Sequence, residues 1–184
     1  PDARLLVEAP PGTGKTAIAC ARVAHLVRSG CSPASIHMIS FTRTAVAELR
    51  ARIADALDDP EGARGVNIST LDSRAWQLLH GFTEQDGNQQ LFAGSYEASI
   101  EHTIGLLKAG RDEVLSYLER IDHLVVDEAQ DLTGPRLQLV RAILSCLAPT
   151  CGVTILGDPL QAIYGFTTED SAHGSDADLF AAAA

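Results

Sequence analysis

No apolar run in this 184-residue sequence approaches the roughly 20 residues needed to span a bilayer. The first eight residues carry charge early and show no signal-peptide cleavage pattern, so a cytoplasmic protein is the expectation. Cys20, Cys31, Cys146 and Cys151 form no CxxC pair, and no histidine stands at zinc spacing from them. That excludes a zinc module, and the thiols read as buried or incidental residues of a reducing compartment. Positive charge is also scarce: 14 Lys and Arg against 24 Asp and Glu leave a formal net charge of −10. A broad electrostatic footprint for nucleic acid is therefore excluded, and any such contact must be local or completed by other parts. There is no internal repeat. The start at Pro1 and the closing run of alanines are what a fragment of a longer protein is expected to show.

What is present is an ordinary globular composition, 46% hydrophobic and 21% charged, at a length that suits one α/β domain. Five short apolar runs, at residues 5–8, 37–40, 67–70, 123–126 and 152–156, read as strands. Helical patterns separate them, at residues 15–28, about 44–57 and 73–80. Another helix opens at Pro135, where proline suits the first turn, with Leu137, Val140, Leu144 and Leu147 on one face. This alternation predicts a doubly wound, mostly parallel sheet. Residues 81–94 read as a polar surface excursion and 95–120 as helical, together a small helical insertion at about 81–120. The domain is expected to close near residue 167, with an irregular acidic tail over 168–184.

Ala9-Pro10-Pro11-Gly12-Thr13-Gly14-Lys15-Thr16 follows the first strand and opens a helix. Only that context lets such a run act as a phosphate loop. Gly12 and Gly14 allow backbone N–H groups to turn onto phosphate oxygens, and the helix N-terminus adds its dipole. Pro11, Gly12, Thr13, Gly14, Lys15 and Thr16 are the candidate nucleotide cradle, with Lys15 reaching the β- and γ-phosphates and Thr16 offering its hydroxyl to Mg²⁺. Ala9 stands where the strict pattern has glycine.

Asp127 and Glu128 close the fourth strand, at the edge where ligands bind in doubly wound sheets. Asp127 is the candidate Mg²⁺ holder, and Glu128 the candidate group that orients and polarises the attacking water. Thus far the residues specify an ATPase or a GTPase.

Three further segments narrow the reading. Gly157-Asp158-Pro159-Leu160-Gln161-Ala162-Ile163-Tyr164-Gly165-Phe166 resembles motif III of superfamily 1 helicases of the UvrD/Rep type. Ser40-Phe41-Thr42-Arg43-Thr44-Ala45 with Glu48-Leu49 is similar to motif Ia, and Thr70-Leu71-Asp72-Ser73 to a further characteristic segment of that family. Asp127-Glu128-Ala129-Gln130-Asp131 matches its motif II, and the family also accepts alanine at position 9. The resemblance runs in family order over about residues 5–167. It implies a RecA-like ATP-binding motor domain with ATP and Mg²⁺ as ligands. It also implies that Gln161 senses the γ-phosphate, and that Phe41, Thr42, Thr70 and Phe166 line a path for single-stranded DNA. The strand carrying Asp127 is expected beside the strand that feeds Gly12, with Gln161 at the same sheet edge.

The departures from the family pattern fall on that path. Thr44 replaces a lysine, Thr167 an arginine, and Leu71-Asp72 a Phe-His pair. Two cations are missing and one acid is added, so weak single-strand binding by this domain alone is expected. The resemblance places the remaining motifs, and the arginines that complete hydrolysis, in a second motor domain of the same protein. Two other readings stand beside it. Residues 10–16 also resemble an AAA+ ATPase, and the lost DNA contacts fit a nucleotide-gated interaction module.

Overall fold

The computed structural model describes residues 3–81 and 96–158. Its strands are β1 (Arg4–Glu8), β2 (Ile36–Ser40), β3 (Asn67–Thr70), β4 (His123–Val126) and β5 (Gly152–Gly157). Every residue of β2, β4 and β5 is buried. Near-continuous apolar strands of this kind suit a parallel sheet covered on both faces. All four pairings are parallel, in the order β1-β5-β4-β2-β3.

Seven helices cover the sheet among the described residues: α1 (Lys15–Arg28), α2 (Arg43–Leu57), α3 (Pro60–Gly65), α4 (Leu71–His80), α5 (Tyr96–Lys108), α6 (Asp112–Leu118) and α7 (Gly134–Cys146). The alternation of strand side chains sorts them into two layers. Ile36, Met38, Val125 and Leu156 face Ala19, Val23, Leu49, Ile53 and Ala63 of α1, α2 and α3. Ile39, Leu124, Val126, Val153 and Ile155 face the other way, onto α4, α5, α6 and α7. The chain first moves outward from β1 through β2 to β3, then returns to β4 and β5. Crossovers of one hand that reverse direction must change face, which puts the outgoing helices on one side and the returning helices on the other.

Local chemistry sets the helix starts. The Thr42 hydroxyl accepts from the Ala45 N–H at 3.1 Å and starts α2 at Arg43. The Thr70 hydroxyl accepts from the Ser73 N–H at 3.1 Å and starts α4 at Leu71, two residues before the sequence-based start. Helix α3 is absent from the sequence-based pattern, although Asp59 caps it and Pro60 occupies its first turn, a recognisable start signal. The described part of residues 81–120 forms α5 and α6, whose Ile100, Ile104, Leu107, Val114 and Leu118 join the core. Residues 82–95 and the expected boundary near 167 lie outside the described residues.

One expectation about topology is corrected. β4 does not lie beside β1, because β5 pairs with both and separates them. The ends of β1 and β4 are therefore about two strand spacings apart, roughly 9–10 Å. A gap of that size suits phosphates between the two motifs rather than direct contact of the strands. Placing the apolar β5 between them also buries it fully, while β1 takes the margin and leaves Leu5 and Leu6 about two-fifths exposed.

Candidate nucleotide site and nucleic-acid groove

Each motif directly follows a strand, and every strand runs in the same direction, so all of them open at one carboxyl edge. Across that edge the order is the phosphate loop, Gly157-Asp158, Asp127-Glu128, Phe41-Thr42 and Thr70.

Gly12 and Gly14 have φ of 75° and 87°, the left-handed region that a side chain would penalise. Ala9 is not among the positive-φ residues, which explains why glycine is unnecessary there. Its N–H donates to the Gly157 carbonyl at 3.2 Å and ties the loop to the end of β5. The Thr13 hydroxyl donates to the Pro10 carbonyl at 2.6 Å and closes the loop internally. Lys15 is buried, 5% exposed, and its Nζ donates to the Ala9 carbonyl at 3.1 Å. The ammonium is thus held against the loop. Pro11, Gly12, Thr13 and Gly14 are exposed, and Thr16 is half-buried at the start of α1.

Asp127 is 2% exposed, and its Oδ1 has no hydrogen-bond partner among the described residues. Burial, followed by the Glu128 charge, pushes its carboxyl up to about 6, while the Lys15 charge acts in the opposite direction. A buried carboxylate oxygen without a donor is costly unless a cation meets it. That orphan oxygen fits Mg²⁺, which keeps most of its waters and takes only one or two carboxylates beside nucleotide phosphates. No group of three or more acidic, histidine or cysteine side chains forms a denser cage among the described residues. Mg²⁺ held there would supply charge neutralisation at phosphate oxygens.

Glu128 adopts φ 52°, ψ 49°, one of two non-glycine residues in the left-handed region among those described. Such a conformation costs on the order of 1–3 kcal/mol and concentrates at functional sites. It breaks the strand, so that Asp127 and Glu128 serve separate positions. Gln130 fixes the result, its Nε2 donating to Glu128 Oε2 at 2.6 Å and its Oε1 accepting from the Asp158 N–H at 3.0 Å. One side chain therefore links the motif II carboxylate to the start of the motif III segment. Sequence reasoning gives Gln130 no role of its own, although it stands inside motif II. Gln161, Tyr164, Phe166 and Thr167 lie outside the described residues.

At the far end of the edge lies a groove of about 410 Å³ lined by Phe41, Arg43, Thr70, Asp72, Ser73 and Trp76. Phe41 is half-buried and packs partly against the core. Thr42 is exposed, whereas Thr70 is buried and its hydroxyl also donates to Ser73 Oγ at 2.8 Å. Both threonines thus serve first as helix caps. Asp72 does not present a free acid: Arg136 on α7 holds it through two 3.2 Å contacts. Trp76 does not stand out in the sequence, although Leu71, Ala75, Leu78 and Leu79 define the buried face of α4 and leave position 76 outside it.

A phosphate loop and an acidic strand end separated by one intervening strand define a P-loop nucleotide-binding domain. Comparison with known proteins gives its family: the UvrD/REP helicase N-terminal domain family matches residues 1–104 and 93–173, and the chain belongs to that family. DNA helicase II of Escherichia coli is 39% identical over 80 residues, covering 43% of this chain and 11% of that protein. ATP-dependent DNA helicase Rep of Escherichia coli is 30% identical over 145 residues, 75% of this chain and 21% of that protein. DNA helicase II of Rickettsia typhi is 25% identical over 132 residues, 69% of this chain and 20% of that protein. The chain spans about a fifth or less of each of these relatives. Family membership sets aside the AAA+ resemblance of residues 10–16. No described helix is long and apolar enough to cross a membrane.

Proposed function

We propose that this domain captures ATP·Mg²⁺ and forms the first motor half of a DNA helicase, joined in action to a second motor domain of the same protein. In this reading Gly12, Thr13 and Gly14 turn N–H groups to the phosphates, beside Pro11, and Lys15 leaves the Ala9 carbonyl for the β- and γ-phosphates. Thr16 and Asp127 hold the metal. Glu128, oriented by Gln130, positions and polarises the attacking water. Gln161 carries the state of the γ-phosphate toward a single-strand path that includes Phe41, Thr42, Thr70 and Phe166. The observation that carries the reading is the orphaned Asp127 Oδ1 at the same sheet edge as a glycine-turned phosphate loop. The domain is taken to extend to about residue 167.

Titration of the chain with a fluorescent ATP analogue, with and without Mg²⁺, tests this. Lys15→Ala is expected to abolish binding, and unchanged affinity in that variant would refute the nucleotide site.

A further inference from the structure

Trp76 is 61% exposed, the most open of the large apolar side chains described. An indole carries 150–250 Å² of largely apolar surface, roughly, and here most of it meets solvent. The His80 ring one turn later lies 4.6 Å from it, centroid to centroid, at 37°. The indole lines the groove together with Phe41 and Arg43. Arg43 is exposed and makes no ion pair among the described residues. The one acid lining the groove among the described residues, Asp72, is answered by Arg136.

We propose that Trp76 is a base-stacking platform for single-stranded DNA, supplementing Phe41 in this groove while Arg43 meets the backbone. The inference rests on the nucleic-acid path proposed above, and adds a residue that none of the sequence motifs contains. Its chemistry answers the shortage of cations. A π-face binds any base without regard to sequence, and stacking does not depend on counterion release. An exposed aromatic, a half-buried aromatic and a cation with no ion pair among the described residues, around about 410 Å³, form a site for an unpaired, anionic strand with exposed base faces. A duplex hides those faces.

Trp76 is the sole tryptophan of the chain, so intrinsic fluorescence reports on it alone. The test titrates the 184-residue chain with a thymidine oligonucleotide, following tryptophan emission and, independently, the anisotropy of a labelled copy. Quenching is expected to saturate with the anisotropy signal, and an abasic strand of equal length is expected to give no quenching. Trp76→Ala is expected to weaken binding about 5- to 150-fold, and Trp76→Phe to restore most of it. The side chain is exposed, so circular dichroism should show both variants folded. Anisotropy that reports binding without quenching, or an unaltered affinity in Trp76→Ala, overturns the stacking role. If Phe41→Ala still weakens binding in that case, the nucleic-acid path itself survives. No binding by either signal overturns the path and this inference together.

Discussion

Asp127 and Glu128 are neighbours in sequence with opposite requirements. In the proposed site Asp127 must remain ionised in a place that disfavours charge, and the left-handed turn at Glu128 carries the next carboxylate away from the strand. Removing the charge should therefore help the empty fold and harm the site. Asp127→Asn is expected to raise the melting temperature by a few degrees. The shift of its carboxyl to about 6 corresponds to up to about 3 kcal/mol of charge burial at neutral pH. The same variant is expected to lose the Mg²⁺-dependent part of nucleotide affinity, and calorimetry with and without the metal would show both effects. Gln130 acts one step away. Gln130→Ala removes the amide donor on Glu128 and an acceptor for the Asp158 N–H, at a cost of about 1–3 kcal/mol. Nucleotide affinity should stay within a few fold, while single-turnover hydrolysis in the full-length protein should fall at least tenfold. An equal loss in both would make Gln130 merely structural.

At the scale of elements, β2 shows how a buried strand accommodates polarity. His37 points into the layer of α4 and α6, edge-on to Tyr117, with Asn67 Nδ2 at 3.4 Å from its Nε2. Burial, helped by the nearby Arg74 charge, pushes its imidazole down to about 3. The folded state thus keeps His37 neutral while the unfolded chain takes up a proton near its ordinary value of 6.5. The unfolded state binds more protons in that window, so this histidine's contribution is fully present above pH 6.5 and is lost as pH falls toward 3. Denaturant midpoints measured between pH 6 and 4 are expected to fall less steeply in His37→Gln. The difference should approach one proton, about 1.4 kcal/mol per pH unit. A slope unchanged by the substitution would place the proton elsewhere. On the opposite layer Cys20 is buried and its thiol is pushed up to about 11, so it is an inert packing residue of α1.

For the whole molecule, the proposed function assigns part of the catalytic machinery to a second motor domain. Several arginines are already engaged within the fold. Arg50 reaches the Ile68 carbonyl, Arg52 pairs with Glu48 and Arg136 with Asp72. An arginine finger contributes about 10³–10⁵-fold in rate, so turnover by the 184-residue chain alone is expected to be lower than in the full-length protein by about that factor. Phosphate release by both, with and without single-stranded DNA, checks this. Equal turnover would mean that the catalytic site is complete within these residues. Single-strand binding by the chain should also have a shallow slope of log affinity against log salt, since few phosphates are neutralised. Nanomolar affinity at physiological salt would contradict that.

The five strands, most of the helices, the phosphate loop and the acidic pair were legible in the sequence, because each depends on local chemistry: apolar runs, helical spacing and glycines that must turn. Gly12 and Gly14 take the φ values that their motif requires, whereas the helix caps at Thr42, Asp59 and Thr70 lay outside the sequence-based expectations although each acts within three residues. Contacts between distant segments were not legible. Nothing local says that β5 inserts between β1 and β4, since the hydrophobic effect rewards burial of the most apolar strand without naming its neighbours. The pairing of Asp72 with Arg136, 64 positions away, turned an expected free acid into a neutralised one. The bridge from Gln130 to Asp158 spans 28 positions and exists only because β4 and β5 end side by side. Local sequence determined which chemical groups stand at each strand end, and the tertiary structure alone decided which of them meet, because strand order and charge pairing are settled by packing across the whole sheet.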